Sequence, residues 1–187
     1  MNNDIRFYVV TSEAIEKESV LEKMLTLICN NKAEVTKFNN VYGVSGIKND
    51  GFSKLINCIQ PLKNDLKLDY LSIVVVPCFN EAFIKLLDVK ETKVYYLFDL
   101  LIEKAQSGKF DVALLKTIFS NVPENILQTV KQYINFNQSI ICTSEAMFTH
   151  RNTINYRLNK FIQLTGINIR ETNSAMTIYL LLKLLNI

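Results

Sequence analysis

The stretch of residues 149–165 constrains this chain more than any other part, because its apolar side chains recur at helical spacing among polar ones. Its apolar positions, separated by four, three and one residues, are Ile154, Leu158, Phe161 and Ile162. That spacing places them on one stripe of a helix, and the opposite side then carries amides, a hydroxyl, a phenol and a lysine. The sequence therefore predicts a helix that is packed along one side and bare along the other.

The bare side of this helix lacks negative charge. No Asp or Glu occurs from Thr149 to Arg170, whereas a merely solvated helix face usually mixes both signs. A surface that touches phosphate should lack carboxylates, because each one would oppose the phosphate charge. Thr149 is the expected N-cap, and a short apolar helix pattern at 144–148 precedes it. Two helices joined by a tight turn, the second with polar side chains at its start, are what a DNA-reading helix-turn-helix requires.

A sequence motif in the same region resembles a known family. Residues 150–158 read HRNTINYRL, and QLTGI follows at 163–167 with IR at 169–170. This pattern resembles the C-terminal helix-turn-helix of the PucR/CdaR family of bacterial transcriptional regulators, over about a third of the chain. The helix is also similar to the Fis-type DNA-binding helix, in which an R-x-T step near the start touches DNA. The resemblance implies that the helix 150–164 reads the major groove.

The residues expected to contact DNA lie at the start and along the bare side of that helix. They are Thr149, His150, Arg151, Asn152, Thr153, Asn155, Tyr156, Arg157 and Lys160. Arg151 and Thr153 are candidates because of the similarity to the Fis-type helix. The helical wheel puts Arg151 near the edge of the apolar stripe, so a structural role for this residue stays open. His150 is the sole histidine of the chain, which argues against a histidine metal site or a catalytic triad.

The first helix of the motif departs from the family pattern at two positions. Ile141 stands where the family usually has a Ser that starts the helix. Ser144 stands where Ala is common, one turn before an aromatic position that the resemblance implies is buried, here Phe148. These changes weaken a cap and a packing contact, and they leave the reading helix untouched.

Charge is distributed unevenly along the chain. The 187 residues have a formal net charge of +3 at pH 7. Residues 122–187 contain six basic and three acidic side chains, whereas residues 1–121 contain fifteen of each sign. The whole positive excess lies in the last third, which is where the motif predicts nucleic-acid binding.

The remainder of the chain alternates strand and helix patterns. Strands are expected at 5–10, 41–47 and 70–76, the last a β-branched run typical of burial on both faces. Helices are expected at 13–30, 52–59, 94–104, 110–119 and 121–135, the last with Asn121 as N-cap. The sequence predicts an α+β fold: a small N-terminal α/β domain at 1–92, a helical connector at 93–120 and an all-helical helix-turn-helix domain at 121–187.

The tail of the chain suggests a partner surface. Residues 174–185 are apolar almost all round, so one face can fill the domain core while a second needs the N-terminal domain or another subunit. A single helix-turn-helix reads few base pairs, so we expect a homodimer. Its surface is either the tail at 176–185 or the helices near 94–119.

The functional classes can be ranked from the same sequence. Four cysteines without metal-type spacing, no signal peptide and no transmembrane run favour reduced thiols in a cytoplasmic protein away from membranes. We expect a DNA-binding regulator that uses no cofactor or metal, has double-stranded DNA as its partner and can take an unidentified small-molecule effector. One alternative is a helix-turn-helix-shaped protein-interaction module without DNA binding. Another is an enzyme with its site in the N-terminal domain, although no nucleophile–base pair or carboxylate cluster favours it.

Overall fold

The structure, a computed structural model, describes residues 5–12, 25, 33–38, 41–109 and 111–186. The chain forms two compact units, Met1–Leu100 and Leu101–Ile187. The first unit contains a sheet and the second is built from helices, which confirms the predicted α+β class. The finer division at residues 92 and 120 stays a prediction.

The first unit is built on a five-stranded sheet. Its strands are β1 (Ile5–Thr11), β2 (Glu34–Phe38), β3 (Val41–Ile47), β4 (Leu71–Val76) and β5 (Val94–Tyr96), in the order β2-β3-β1-β4-β5. The β1 strand pairs antiparallel with both β3 and β4, and β2 pairs antiparallel with β3. The β5 strand pairs parallel with β4. Because β3 and β4 run in the same direction on either side of β1, the chain between them has to cross over β1.

Helix α1 (Asn49–Asp65) makes that crossover and covers one face of the sheet. Its buried residues recur at helical spacing and join the core cluster formed by Phe7 and Val9 of β1. Leu25, which is buried in the same cluster, is the one described residue of the helix expected at 13–30. The rest of that expected helix lies outside the described residues.

Aromatic rings cover the other face of the sheet. Tyr8, Phe38 and Phe79 pack with ring centroids 5.3–5.9 Å apart. A Cβ atom at Gly43 would lie 2.7 Å from the Phe38 ring and 3.1 Å from the Phe79 ring, so this glycine permits a close approach of rings to the backbone. The Tyr8 hydroxyl accepts a hydrogen bond from the Asn80 amide at 2.8 Å. Burial raises the pKa of Tyr8 to about 12.

The structure corrects several boundaries in the middle of the chain. Residues 94–96 form the parallel edge strand β5, not the start of a helix as expected, and helix α3 follows at Leu97–Gln106. The β2 strand was not predicted. Helix α2 spans Glu81–Ile84, with the Asn80 side chain accepting from the Ala82 amide. Part of the helix expected at 110–119 is divided into α4 (Val112–Lys116) and a 3-10 turn at Thr117–Phe119.

The second unit continues with four helices in the described chain. They are α5 (Glu124–Asn135), α6 (Ile140–Ala146), α7 (Arg151–Thr165) and α8 (Thr172–Leu184). The α5 helix begins after Pro123, so the expectation that Asn121 is its N-cap is wrong. Ser139 caps α6 by accepting from the Cys142 amide, which supplies the cap that Ile141 lacks. Among the described residues, no helix is both long and apolar enough to cross a membrane.

Candidate nucleic-acid interface

Helix α7 begins at the position where the sequence places the reading helix. His150 is its N-cap, and its Nδ1 accepts a hydrogen bond from the Asn152 amide at 3.2 Å. The expectation that Thr149 is the N-cap is therefore wrong, because the Thr149 hydroxyl donates instead to the Met147 carbonyl at 2.9 Å. The turn and the helix start are thus fixed by two short side-chain bonds.

The end of α7 is set by a glycine. Gly166 has a left-handed φ of 73°, and its amide donates to the Ile162 carbonyl at 2.8 Å. The Thr165 hydroxyl donates to the Phe161 carbonyl at 2.8 Å and accepts from the Ile167 amide at 3.1 Å. These bonds satisfy polar groups that a helix end would otherwise leave unpaired.

The buried side of α7 agrees with the predicted apolar stripe. Ile154, Leu158 and Phe161 are fully buried, and Ile162 is half-buried. The Phe161 ring stacks on Phe119 with centroids 6.5 Å apart. Burial of three large side chains, each contributing about 1.5–3 kcal/mol when fully buried, fixes which side of the helix faces the domain.

Helix α7 and its N-cap present four of the nine predicted site residues to solvent. His150, Arg151, Asn152 and Tyr156 are exposed, and Tyr156 is 66% exposed. The remaining predicted residues are half-buried: Thr149, Thr153, Asn155, Arg157 and Lys160. The wheel position left a structural role open for Arg151, and the structure places this side chain in solvent. The first half of the helix thus carries a guanidinium, an amide and a phenol that solvent can reach.

Arg157 is held within the domain. Its Nη1 donates to the hydroxyl of Thr129 on α5 at 3.2 Å, and this hydroxyl donates to the Asn125 carbonyl at 2.8 Å. Thr129 is fully buried. The chain of bonds therefore ties α7 to α5 at the fully buried Thr129 hydroxyl.

Two more predicted site residues have partners within the domain. Asn155 accepts from Arg170 Nη2 at 3.3 Å, and Lys160 donates to Gln163 at 3.0 Å. The side chain of Gln138 donates to the Ile169 carbonyl at 2.9 Å and joins the turn after α5 to the segment after α7. Thr129, Gln138 and Arg170 were not predicted from the sequence, because each acts through a partner 15 or more residues away.

Phe148 contradicts the expectation that it is buried. Its side chain is 98% exposed, and its backbone is left-handed with φ of 48°. The left-handed turn directs the side chain away from the domain, so position 148 is not part of the packing between α6 and α7.

Two helices joined by a short turn, with the second packed on one side and polar on the other, define a helix-turn-helix domain. Residues 126–184 match the model of the PucR C-terminal helix-turn-helix domain. This confirms the resemblance: the C-terminal part of the chain is a PucR-type helix-turn-helix domain.

Several curated proteins are similar to the chain. The "DNA-binding transcriptional activator AdeR" of Bacillus subtilis is 30% identical over 109 residues, which are 57% of this chain and 26% of that protein. The "Carbohydrate diacid regulator" of Escherichia coli is 29% identical over 104 residues, 50% of this chain and 26% of the relative. The "Proline-responsive transcriptional activator PutR" of Bacillus subtilis is 31% identical over 75 residues, 40% of this chain and 18% of the relative. The chain spans about a quarter of the length of the first two relatives.

Proposed function

We propose that this chain is a sequence-specific DNA-binding transcriptional regulator of the PucR/CdaR type and not an enzyme. The observation that carries the proposal is the accessible side of α7, where Arg151, Asn152 and Tyr156 are exposed beside a buried apolar stripe. The absence of Asp and Glu from Thr149 to Arg170 supports it, because the surface can approach phosphates without repulsion. The names of the similar regulators point to the same class.

The exposed residues divide by the chemistry they offer to DNA. Arg151 and Asn152 can pair with guanine and adenine edges respectively in the major groove, and Tyr156 offers a ring and a hydroxyl beside them. Thr149, His150, Thr153 and Lys160 offer hydrogen-bond groups or charge to the flanking phosphates.

Two predicted site residues hydrogen-bond to other segments of the domain, so their proposed role is to position α7 and not to contact DNA. Arg157 and Asn155 hold α7 in place through Thr129 and Arg170. They therefore help DNA binding by positioning the helix that makes the contacts.

A single such surface covers few base pairs, so we propose that two copies act as a homodimer on half-sites about one helical turn apart. The exposed apolar side chains of α8, Met176 and Tyr179, offer one surface for this contact. The N-terminal unit then serves as a regulatory or assembly module that can take a small-molecule effector. A regulator of this kind would work in the cytoplasm, where bacterial DNA is.

The test begins with selection of bound sequences from random duplex DNA by the full chain. Arg151→Ala, Asn152→Ala and Tyr156→Ala should each weaken binding to the selected duplex by about 5- to 150-fold, because one good base contact contributes about 1–3 kcal/mol. Thermal unfolding should be unchanged, since all three side chains are exposed. Asn173→Ala is the matched control, because Asn173 is also an exposed amide at the second position of a helix.

Wild-type affinity in all three folded variants would contradict the assignment of α7 as the reading helix. Sedimentation at micromolar concentration tests the homodimer separately. A strict monomer, both free and on DNA, would contradict it.

A further inference from the structure

Three consecutive helices of the second unit, α5, α6 and α7, are each followed by a residue with left-handed backbone. These residues are Asn137 after α5 (φ 51°), Phe148 after α6 (φ 48°) and Gly166 after α7 (φ 73°). Gly is the usual residue at this position and Asn the usual substitute, because both tolerate the left-handed region. A bulky residue is an outlier there. Of these three residues, only Phe148 is aromatic, and it lies at the end that leads into the reading helix.

The two non-glycine ends share one hydrogen-bond pattern. The Phe148 amide donates to the Glu145 carbonyl at 3.2 Å, and the Thr149 amide donates to the Ser144 carbonyl at 2.9 Å. After α5, the Asn137 amide donates to Ile134 at 3.0 Å and the Gln138 amide donates to Tyr133 at 2.8 Å. Both ends are Schellman motifs, whose bonds come from the backbone alone. The turn therefore does not need a phenylalanine side chain.

The Phe148 ring also adds little to the packing of the domain. It is 98% exposed, compared with 64% for Ile141 and 66% for Tyr156. A residue that strains the backbone and leaves its ring in water has to be explained by something outside the fold, and such outliers concentrate at functional sites.

The position of Phe148 identifies the partner. It lies two residues before His150, the N-cap of α7, and no carboxylate follows it before Glu171. The start of a reading helix lies in the major groove, where the apolar group on the bases is the C5-methyl of thymine. We infer that Phe148 contacts DNA and packs its ring against a thymine methyl beside the bases that α7 reads. This inference rests on the proposed function.

The test uses the full chain and a duplex selected from random DNA, with each thymine replaced in turn by uracil, which removes only the methyl group. Wild-type protein should lose about fourfold in affinity at one thymine of each half-site, the equivalent of about 0.8 kcal/mol for one buried methyl-sized group. Phe148→Ala should bind the thymine duplex at least fivefold more weakly and should be indifferent to uracil at that position.

A second pair of variants distinguishes the effect of backbone strain on stability from the effect of the Phe148 ring on DNA binding. Phe148→Gly should raise the thermal midpoint, because it relieves the left-handed backbone, and it should still bind DNA at least fivefold more weakly. Asn137→Gly is the matched control: it changes the same motif after α5 and should leave DNA affinity at the wild-type value. A Phe148→Gly protein that binds DNA as well as wild type would overturn the inference.

Two further outcomes would also overturn it. In one, wild-type protein selects a duplex, but Phe148→Ala binds every thymine and uracil version as tightly as wild type does; the proposed function then stands without this contact. In the other, Phe148→Ala changes sedimentation and leaves DNA affinity unchanged, so the ring meets a second copy. If wild-type protein selects no duplex at all, the proposed function itself has failed.

Discussion

Removal of the buried hydroxyl of Thr129 tests how α7 is attached to α5. Thr129→Val keeps the shape of the side chain but removes the acceptor of the Arg157 guanidinium, which lies at 3.2 Å. Because Thr129 is fully buried, water cannot take the place of the hydroxyl there. We expect the second unit to lose stability and α7 to lose one of its attachments to α5.

The size of this effect follows from the two bonds of the Thr129 hydroxyl. A hydrogen bond to a charged group contributes about 1.5–3 kcal/mol. Arg157 is only half-buried, so part of its guanidinium recovers hydration and the expected loss is about 1–2 kcal/mol. The bond from Thr129 to the Asn125 carbonyl adds little, because the helix amide already satisfies that carbonyl. For a unit of this size, the thermal midpoint should fall by about 4–12 °C.

Thermal unfolding monitored by circular dichroism gives the measurement, and Thr177→Val is the matched control. Thr177 is also buried, and its hydroxyl also donates to the carbonyl four residues earlier, that of Asn173. The control should lower the midpoint by only a small fraction of the effect at Thr129. Equal midpoints for the two variants would refute the assignment of Arg157 as the residue that positions α7.

Further predictions concern the end of α7 and the sheet of the first unit. Gly166→Ala should destabilise the second unit by about 1–2 kcal/mol, because alanine has to adopt φ of 73°; an unchanged urea midpoint would contradict this. The buried Tyr8 phenol has a pKa of about 12, so the folded unit keeps a proton that the unfolded chain loses near pH 10. Stability of the first unit should therefore fall by about 2–3 kcal/mol as the pH rises from about 10 to about 12. Tyr8→Phe should flatten this fall in urea unfolding measured across that range, and an equally steep fall would show that another group titrates.

The helical spacing within α7 could be predicted from the sequence because it is local. The apolar stripe from Ile154 to Phe161 and the stop at Gly166 depend on residues within four positions of each other. The N-cap depends on finer geometry, because Thr149 and His150 both have side chains that can accept a hydrogen bond. The chain rotates His150 into the cap and turns the Thr149 hydroxyl back toward Met147.

Features that depend on distant partners could not be predicted in the same way. Nothing local distinguishes an Arg157 that contacts phosphate from one that donates to Thr129, 28 residues away. The strands β2 and β5 were missed because they are only five and three residues long and are defined by their pairing with a neighbour. The exposed ring of Phe148 follows from its left-handed backbone angle, and an aromatic residue in the sequence does not indicate such an angle.

The central claim, that α7 binds duplex DNA, is tested most directly by the salt dependence of binding to the selected duplex. Lys160 is the predicted site cation that the proposal assigns to the flanking phosphates, so the two copies in a homodimer would neutralise about two phosphates. The affinity should then fall about tenfold between about 50 and about 200 mM salt, with a log–log slope near −1.8, and Lys160→Ala should remove most of that slope, whereas Arg151→Ala should weaken binding and leave the slope unchanged. An affinity that does not change with salt would contradict the account and would favour a protein-interaction module that kept the helix-turn-helix shape.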